Sequence, residues 1–228
     1  MSEMLRVSPL HDSLAALNPR WGRYAGMLVP AALTDPAAEQ SCLQSVALTD
    51  LSCLPRSGLK GPAAESWLLQ QGLPVPAGIN QWLPIGQCSL IARLATTEFF
   101  IEDGPGPDDF ACDIRQKLDR GLAGVTPVLR QDAQIALAGP AAREVCAQTC
   151  SLNFAALNLD ARPLVMTSMI GVSVLVIPRL WSGKPLFQIW CDPTFSAYLW
   201  KHLLEIAQEL GGGAVGIAAL FPNFFQKG

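Results

Sequence analysis

The residues with the most distinctive chemistry in this chain are seven cysteines and two histidines. Cys146 and Cys150 are four residues apart in a predicted helix, so both thiols could face one metal ion. A structural zinc site needs four ligands, and only His11 and His202 offer ring nitrogens. The spacing therefore favours two buried cysteines over a metal site, because cysteine packs as a small apolar side chain.

Two other patterns could suggest an enzyme. The run GGGAVG from Gly211 to Gly216 matches G-x-G-x-x-G, but it follows a predicted helix and opens a strand, the reverse of a dinucleotide site. The sequence has no G-x-S-x-G, P-loop or H-E-x-x-H motif, and two histidines leave few ways to build a Ser-His-Asp triad. His202 is predicted to lie half-exposed at the edge of the buried stripe of its helix rather than to act as a base.

Composition and charge limit the classes of partner. The chain has 228 residues, half of them apolar and 15% charged, with a net charge of −3. The arginines are scattered, which argues against a nucleic-acid interface. An odd number of cysteines without C-x-x-C predicts a reducing cytoplasm. The first residues lack a signal-peptide pattern, and the longest apolar run, Ile170–Pro178, is too short to span a membrane.

The sequence contains two copies of the elements that would position a functional site. The stretches GLKGPAAESWLLQ around Gly61 and ALAGPAAREVCAQ around Gly139 each predict a strand, a Gly-Pro turn and a short helix. A hairpin and a second helix follow each copy. Each half therefore has the order β-α-β-β-α, which predicts an α+β fold of two pseudo-duplicated split-βαβ, ferredoxin-like halves with antiparallel sheets. A pocket between such halves is the default ligand site.

The chain is predicted to have a Pro/Ala-rich N-terminal arm over residues 1–40 and a single domain over 41–228. Its halves cover 41–122 and 123–220, and an aromatic tail covers 221–228. The arm is expected to be extended, with one helical turn near Asp12–Leu17. Further predicted elements are hairpins at 86–94/98–102 and 168–180/185–191, a helix from Asp192 to Gly211 with buried Phe195, Leu199, Leu203, Ile206 and Leu210, and a last strand at 214–220.

Several stretches resemble known families. VALTDLSCLPRSGLKGPAAESWLLQQGLPVP is similar to the opening of the folate-dependent aminomethyltransferases, the T-proteins of glycine cleavage. IALAGPAAREVCAQTCSLNF and VLVIPRLWSGKPLFQIWCDPTFSAYLWKHLLEIAQELG resemble the gamma subunit of heterotetrameric sarcosine oxidase. The resemblance covers about residues 44–215. It implies an aminomethyltransferase folate-binding-domain-like fold without the C-terminal barrel of the T-proteins.

The chain departs from this resemblance at the positions that matter for catalysis. Active aminomethyltransferases carry an aspartate at the strand start where this chain has Gln87 and Cys88. Their long hairpin turn has two acids, which correspond here to Lys184 and Gln188. Since a pterin edge needs paired acceptors and lysine only donates, the resemblance implies that the transferase chemistry is lost. No catalytic residue is predicted.

Ligand-binding candidates in the predicted cleft are Gln87, Cys88, Trp181, Lys184 and Gln188. Cys88 is either an ordinary core cysteine or a reactive thiol, and the latter needs a nearby cation or helix start. Trp181 and Lys184 either bind a carboxylate ligand or form an exposed turn with an anchoring tryptophan.

The resemblance implies a non-catalytic gamma-type subunit that assembles with a flavoprotein oxidising N-methyl amino acids and feeding one-carbon units to tetrahydrofolate. FAD, FMN and NAD would then belong to the partner subunits. The alternatives are a stand-alone folate- or small-ligand-binding protein, a diverged aminomethyltransferase, or an enzyme of another class using Cys88. Phe221, Phe224 and Phe225 either dock on the core of the chain or form a partner interface. Self-association of the isolated chain stays open.

Overall fold

The computed structural model describes residues 5–225. These residues form two compact units. Unit 1 contains the chain up to Cys53, Asp132–Leu159 and the residues from Val165 onward, whereas unit 2 contains Leu54–Gln131 and Asp160–Leu164. The compact units follow a different division from the sequence halves, because each half contributes elements to both. The single domain and its 1–40 arm stay a prediction.

The helices and strands alternate along the whole described chain. The strands are β1 (Arg20–Tyr24), β2 (Met27–Ala32), β3 (Ala47–Asp50), β4 (Arg56–Lys60), β5 (Gln81–Ile85), β6 (Ser89–Ala95), β7 (Glu98–Glu102), β8 (Thr126–Val128), β9 (Ala133–Ala138), β10 (Val165–Met169), β11 (Val172–Trp181), β12 (Lys184–Cys191) and β13 (Gly213–Ala214). The helices are α1 (His11–Ala15), α2 (Pro36–Ser45), α3 (Ala64–Gln70), α4 (Phe110–Leu118), α5 (Ala142–Thr149), α6 (Ser196–Glu209) and α7 (Ile217–Leu220), with short 3-10 turns at Phe154–Ala156, Leu159–Ala161 and Pro193–Phe195.

Unit 2 is built on a five-stranded antiparallel sheet with the order β5-β6-β7-β4-β8. Strand residues two apart point to one face, so Phe99 and Ile101 of β7 join Leu59 of β4 in the core. Helices α3 and α4 cover this face with Leu68 and Ile114.

Unit 1 contains a six-stranded sheet with the order β10-β11-β12-β9-β3-β13, antiparallel except for the β13–β3 pair. Helices α5 and α6 cover one face, where Val145, Leu199 and Leu203 pack with Ile135 and Phe187 of the sheet. This packing gives unit 1 the same helix-on-sheet core as unit 2.

The strand orders of the two sheets reveal how the duplicated halves combine. Strands β5, β6, β7, β4 and β8 of one sheet correspond in position to β10, β11, β12, β9 and β3 of the other. Strands β4 and β9 each lead into a Gly-Pro helix start. The next strand in the sheet order, β8 beside β4 and β3 beside β9, comes from the other half of the sequence. The halves therefore exchange one strand, β8 for β3.

The repeated Gly-Pro stretch occupies the same place in both sheets. Gly61 and Gly139 have φ values of +133° and +121°. Two residues later, Ala63 donates its N–H to Gly124 O and Ala141 donates to Ser45 O, each at 3.0 Å. Each acceptor lies just before the exchanged strand, so the repeat fastens that strand to the helix start.

Two sequence predictions, for the segment before residue 40 and for the strand over 168–180, need correction. The segment before residue 40, which was predicted to be extended, contains α1, the β1–β2 hairpin and the start of α2. Ala25 and Gly26, with φ values of +47° and +73°, form the turn of this hairpin. Pro30 within β2 hid the strand pattern. The predicted strand over 168–180 is two strands, because Ile170 and Gly171 have φ values of +52° and +79° and form a turn.

The C-terminal elements also differ from the prediction. The last strand shortens to β13, and α7 follows over residues that were predicted to be extended. In α6 the predicted stripe holds at Leu199 and Leu203, whereas Phe195 is 52% exposed because it lies in the 3-10 turn before the helix. The fold class itself is confirmed: the protein is α+β with antiparallel sheets, and residues 5–225 contain no closed barrel.

Candidate functional site

The start of β6, where the sequence comparison places Gln87 and Cys88, is held by one carboxylate from a distant loop. The Oδ2 atom of Asp108 accepts the backbone N–H groups of Gln87 and Cys88 at 2.9 Å and of Ser89 at 3.2 Å. It also accepts the Ser89 hydroxyl at 3.0 Å. We call Gln87, Cys88, Ser89, Asp103 and Asp108 the Asp108 cluster.

A second carboxylate in this cluster, Asp103, is completely buried. Its oxygens accept the N–H of Ala111 in the first turn of α4 at 3.0 and 3.1 Å, and one of them lies 3.4 Å from the Ser89 hydroxyl. Burial raises the pKa of Asp103, although the N–H of Ala111 opposes this effect. Asp103 thus caps α4 and ties it to β6.

The pKa of Asp108 is shifted in the opposite direction. Partial burial acts to raise it, but the donors from Cys88, Ser89 and Gln87 outweigh burial and lower the pKa of Asp108. A general base must accept a proton from a substrate within hydrogen-bond reach. Because four donors of the chain converge on one oxygen of Asp108, this carboxylate is a structural acceptor that holds the loop.

The carboxylates near α4 also form a group that invites a metal hypothesis. Ligand atoms of Asp103, Asp109 and Cys112 lie within 4.8 Å of one another. Burial raises the pKa of Cys112 to about 11, and the hydrogen bond and charge of Asp109 add to the effect. Metal ligation requires the thiolate, so these surroundings disfavour it, and three donors fall short of a four-ligand structural site.

The other candidate residues lie in unit 1, on the β11–β12 hairpin. Its two-residue turn places Trp181 and Lys184 opposite each other. The Trp181 ring lies 5.4 Å from the guanidinium of Arg179 and makes an edge contact with Phe221 at 5.1 Å. Lys184 is exposed and donates to Leu43 O at 3.4 Å. These contacts agree with an anchored turn, while a ligand role for the pair stays a prediction.

Gln188 lies on the sheet face opposite α5 and α6. It is 3% exposed and pairs in register with Ala136, which in turn pairs with Thr49. Gln134, which is completely buried, shares this face two residues away from Ala136. The face is therefore buried and yet carries neutral polar side chains, which apolar packing alone does not require. Gln87 and Cys88 lie in unit 2, so a common cleft for all five candidates stays a prediction.

The aromatic tail divides into two parts. Phe221 and Phe224 are 4% and 2% exposed, and Phe224 packs against Tyr24 with ring centroids 4.3 Å apart. Phe225 is 36% exposed. The side chains of Phe221 and Phe224 dock on the chain itself, whereas Phe225 remains accessible to a partner. The rest of the predicted tail, residues 226–228, lies outside the described residues.

Residues 85–221, more than half of the chain, match the model of the GCVT N-terminal domain. The chain belongs to the GCVT N-terminal domain family. The match includes the Asp108 cluster, the β11–β12 hairpin and α6. It contains the two stretches beginning at Ile135 and Val174 that resemble the sarcosine oxidase subunit, whereas the stretch over 46–76 that resembles the aminomethyltransferases lies outside it.

Two solved structures have the same fold as this chain. The glycine cleavage system aminomethyltransferase T from Bartonella henselae superposes with a TM-score of 0.73 at 20% identity, covering 95% of this chain and 61% of that one. A chain of the heterotetrameric sarcosine oxidase from Corynebacterium sp. U-96 superposes with a TM-score of 0.64 at 18% identity, covering 90% of this chain and 96% of that one. At these identities the likeness concerns the fold.

One curated sequence relative is much longer than this chain. The mouse mitochondrial pyruvate dehydrogenase phosphatase regulatory subunit is 22% identical over 267 residues, covering 98% of this chain and 30% of that protein. The chain thus spans about a third of this relative and 61% of the aminomethyltransferase. Among residues 5–225, no helix combines the length and hydropathy that crossing a bilayer needs.

Sequence reasoning missed how this family member uses Asp108. Asp108 stands at the start of the helical stretch that follows Pro107, a position that by itself predicts only a favourable interaction with the helix dipole. In the structure its Oδ2 atom instead binds the start of β6 from 19 to 21 residues away. The one available signal was Gly86, whose φ of +57° allows the chain to turn three successive N–H groups toward one acceptor.

We expect Asp108→Asn to lower the free energy of unfolding by about 1–2 kcal/mol at pH 7, because an amide oxygen is a weaker acceptor than a carboxylate. Since the pKa of Asp108 is lowered on folding, its contribution is present above the ordinary value of about 3.9 and is lost as the pH falls through the folded-state pKa. Urea denaturation of both proteins at pH 7 and at about pH 3 measures the difference, which should shrink at the lower pH.

Asp103→Asn is the matched control. The raised pKa of Asp103 means that its charged form is disfavoured in the folded protein, and an amide oxygen still accepts the N–H of Ala111. This substitution should change stability at pH 7 by less than Asp108→Asn. An Asp103→Asn variant that is the less stable of the two contradicts the assigned roles.

Proposed function

We propose that this protein is a non-catalytic subunit of gamma type that assembles with larger flavin-containing subunits into an oxidase of N-methyl amino acids. The observation that carries the proposal is the Asp108 cluster. Where the aminomethyltransferase resemblance implies a catalytic aspartate, the chain has Gln87 and Cys88, and the nearby carboxylate of Asp108 is engaged by four donors at the start of β6.

Chain length supports the assembly part of this proposal. The matched chain of the heterotetrameric sarcosine oxidase is covered to 96%, so this protein and that subunit have nearly the same extent. The complex is placed in the reducing cytoplasm, on the basis of the odd number of cysteines without C-x-x-C. In this proposal FAD, FMN and NAD are bound by the partner subunits.

Tetrahydrofolate is also assigned to the complex rather than to this chain alone. The hairpin positions that correspond to the pterin-binding acids carry Lys184, which donates to Leu43 O, and Gln188, which has one amide oxygen. A pterin donor edge requires two acceptors side by side, and these residues do not supply them. The hairpin of this chain therefore does not fit a pterin in the manner of the transferases.

Co-expression tests the assembly. We expect the tagged protein, produced together with the large subunits of a sarcosine-oxidase-type flavoprotein, to elute with them in one peak that absorbs at flavin wavelengths. An unrelated flavoprotein of similar size, co-expressed in the same way, serves as the control. Elution of this protein apart from every such flavoprotein contradicts the proposal.

A second candidate function, binding of reduced folate or another small ligand by the chain alone, is favoured by the buried polar face of Thr49, Gln134 and Gln188. A ligand present at 100 times its Kd stabilises the folded state by about 2.7 kcal/mol, which a thermal melt detects. Under the first proposal, 5-formyltetrahydrofolate leaves the Tm of the isolated protein unchanged. A rise in Tm that Gln188→Leu abolishes would replace the first proposal by the second.

A further inference from the structure

The outer edge of β10 is an open sheet edge of a kind that proteins usually protect. Edge strands expose unpaired N–H and C=O groups, and proteins protect them with charges, proline, bulges or a covering segment. β10 has the sequence Val-Met-Thr-Ser-Met and pairs with β11 without a bulge. It therefore has five residues without charge or proline.

The turn after β10 determines which of its backbone N–H and C=O groups point away from β11. Ile170 and Gly171 both have positive φ, as in a two-residue type I′ turn, so the flanking Met169 and Val172 form a hydrogen-bonded pair. The pairing alternates along the strand, so the N–H and C=O of Met166 and Ser168 point away from β11. Both residues are exposed, and among residues 5–225 these outward groups make no backbone hydrogen bond.

The free part of the edge is short and well defined. The next outward amide, that of Ile170, already donates to Thr149 O at 2.9 Å. Met166 is 53% exposed, so an apolar side chain also lies beside the free groups. The open edge is thus about three residues long, centred on Thr167.

The duplicated sheet of unit 2 shows what covers such an edge. Its strand β5 holds the position that β10 holds in unit 1. The outer edge of β5 is covered by the three residues Arg162–Leu164, through bonds from Trp82 N–H to Arg162 O at 3.1 Å and from Leu164 N–H to Asn80 O at 2.8 Å, with Pro163 bridging to Gln81. The remaining edges of the two large sheets, β8 and β13, have only three and two residues, and β8 contains Pro127.

We propose that the β10 edge docks a short, uncharged extended segment of a partner polypeptide, which adds to the sheet as an antiparallel strand and bonds through Met166 and Ser168. The occupant matches Arg162–Leu164 on β5 in length and in bonding pattern. It differs from that segment in having no charge, because β10 has no charged side chain and presents the apolar Met166 beside the free groups. A second copy of β10 fits less well, because antiparallel self-pairing about Thr167 would bring Thr149 of one copy against Leu164 of the other. This inference does not depend on the proposed function.

A library of random dodecapeptides displayed on phage provides the probe, selected against the wild-type protein. The expected peptides contain an uncharged stretch of at least three residues and bind wild type and Ser173→Lys equally. Ser173 is exposed and pairs with Ser168 in the hairpin, but it lies on the interior strand β11. Met166→Lys should weaken binding at least tenfold, because a charge at the edge opposes strand addition.

Two measurements place the peptide on the edge. Ser168→Pro removes one outward N–H without removing a bond to β11, so it should also weaken binding while circular dichroism shows a folded protein. In hydrogen exchange, the amides of Met166 and Ser168 should exchange fast in the free protein and slow at least tenfold with peptide, whereas Thr167, already bonded to β11, should not change.

Three results would overturn the proposal. One is that no peptide is enriched, and another is that the selected peptides bind Met166→Lys and Ser168→Pro as they bind wild type. The third is slow exchange of Met166 and Ser168 without peptide. If that protection grows with protein concentration, the occupant is a second copy of this chain.

Discussion

Replacing Glu102 by alanine is expected to lower the free energy of unfolding by about 3–5 kcal/mol. Glu102 of β7 lies directly opposite Arg56 of β4, with the Oε2 and Nε atoms 2.6 Å apart. The two residues are 1% and 4% exposed. Removing the carboxylate leaves a guanidinium buried without its counter-charge, and the guanidinium cannot escape this cost by losing its proton.

An exposed ion pair of the same unit supplies the control for this result. Lys117 and Asp113 are four residues apart on α4, with side chains 37% and 55% exposed. Asp113→Ala should cost less than about 1 kcal/mol, because water screens exposed pairs. Urea denaturation of both variants gives the comparison. Equal losses would mean that the Arg56–Glu102 pair is solvated in solution.

A double substitution separates the charge from the packing. Arg56→Met combined with Glu102→Leu removes both charges and keeps apolar volume, so it should recover most of the stability that Glu102→Ala loses. A double variant as unstable as the single one would assign the loss to hydrogen bonds of Arg56 other than its ion pair.

Gly139→Ala should also destabilise the protein by several kcal/mol. At φ +121° a side chain is strained, and the added Cβ would lie 2.4 Å from Ser45 O, a backbone atom that cannot rotate away. Strain of this kind costs about 1–3 kcal/mol, and overpacking against a fixed neighbour costs about as much again. The expected total is about 2–6 kcal/mol, measured by urea denaturation.

Gly183→Ala is the matched substitution, because Gly183 has a φ of +76° and no heavy atom within 4 Å of the added Cβ. It should cost only the strain, about 1 kcal/mol. Gly61→Ala should behave like Gly139→Ala, since its Cβ would lie 2.3 Å from Gly124 O. A Gly139→Ala loss no larger than that of Gly183→Ala would contradict the close approach that we assign to the repeat.

Local features of the fold could be predicted from the sequence because their causes are local. Gly211 follows α6 in the left-handed conformation, close to the helix end that its position predicted, and Gly72 has the same conformation after α3. The β6–β7 hairpin also lies close to its predicted bounds of 86–94 and 98–102. The turn at Ile170 could not be predicted in this way, because a β-branched residue at positive φ is rare and its sequence suggests a continuous strand.

Features that depend on distant partners could not be predicted from pattern. The exchange of β3 and β8 follows from pairings such as Ala47 with Ala138, and hydrophobic periodicity does not specify partners. The same reason hid the binding of β6 by Asp108. The fold class was accessible because the repeat implied it, whereas the roles of the carboxylates depended on a loop geometry that the sequence does not display.

The exchange of strands between the halves determines the order in which the chain can fold. β3 leaves the ribosome early, but its neighbour β9 follows only after nearly all of unit 2 has been made. Closing such long loops before any contact rewards them slows folding. Neither consecutive half can complete a sheet by itself, so a chain cut between the halves should fold only when both fragments are present together.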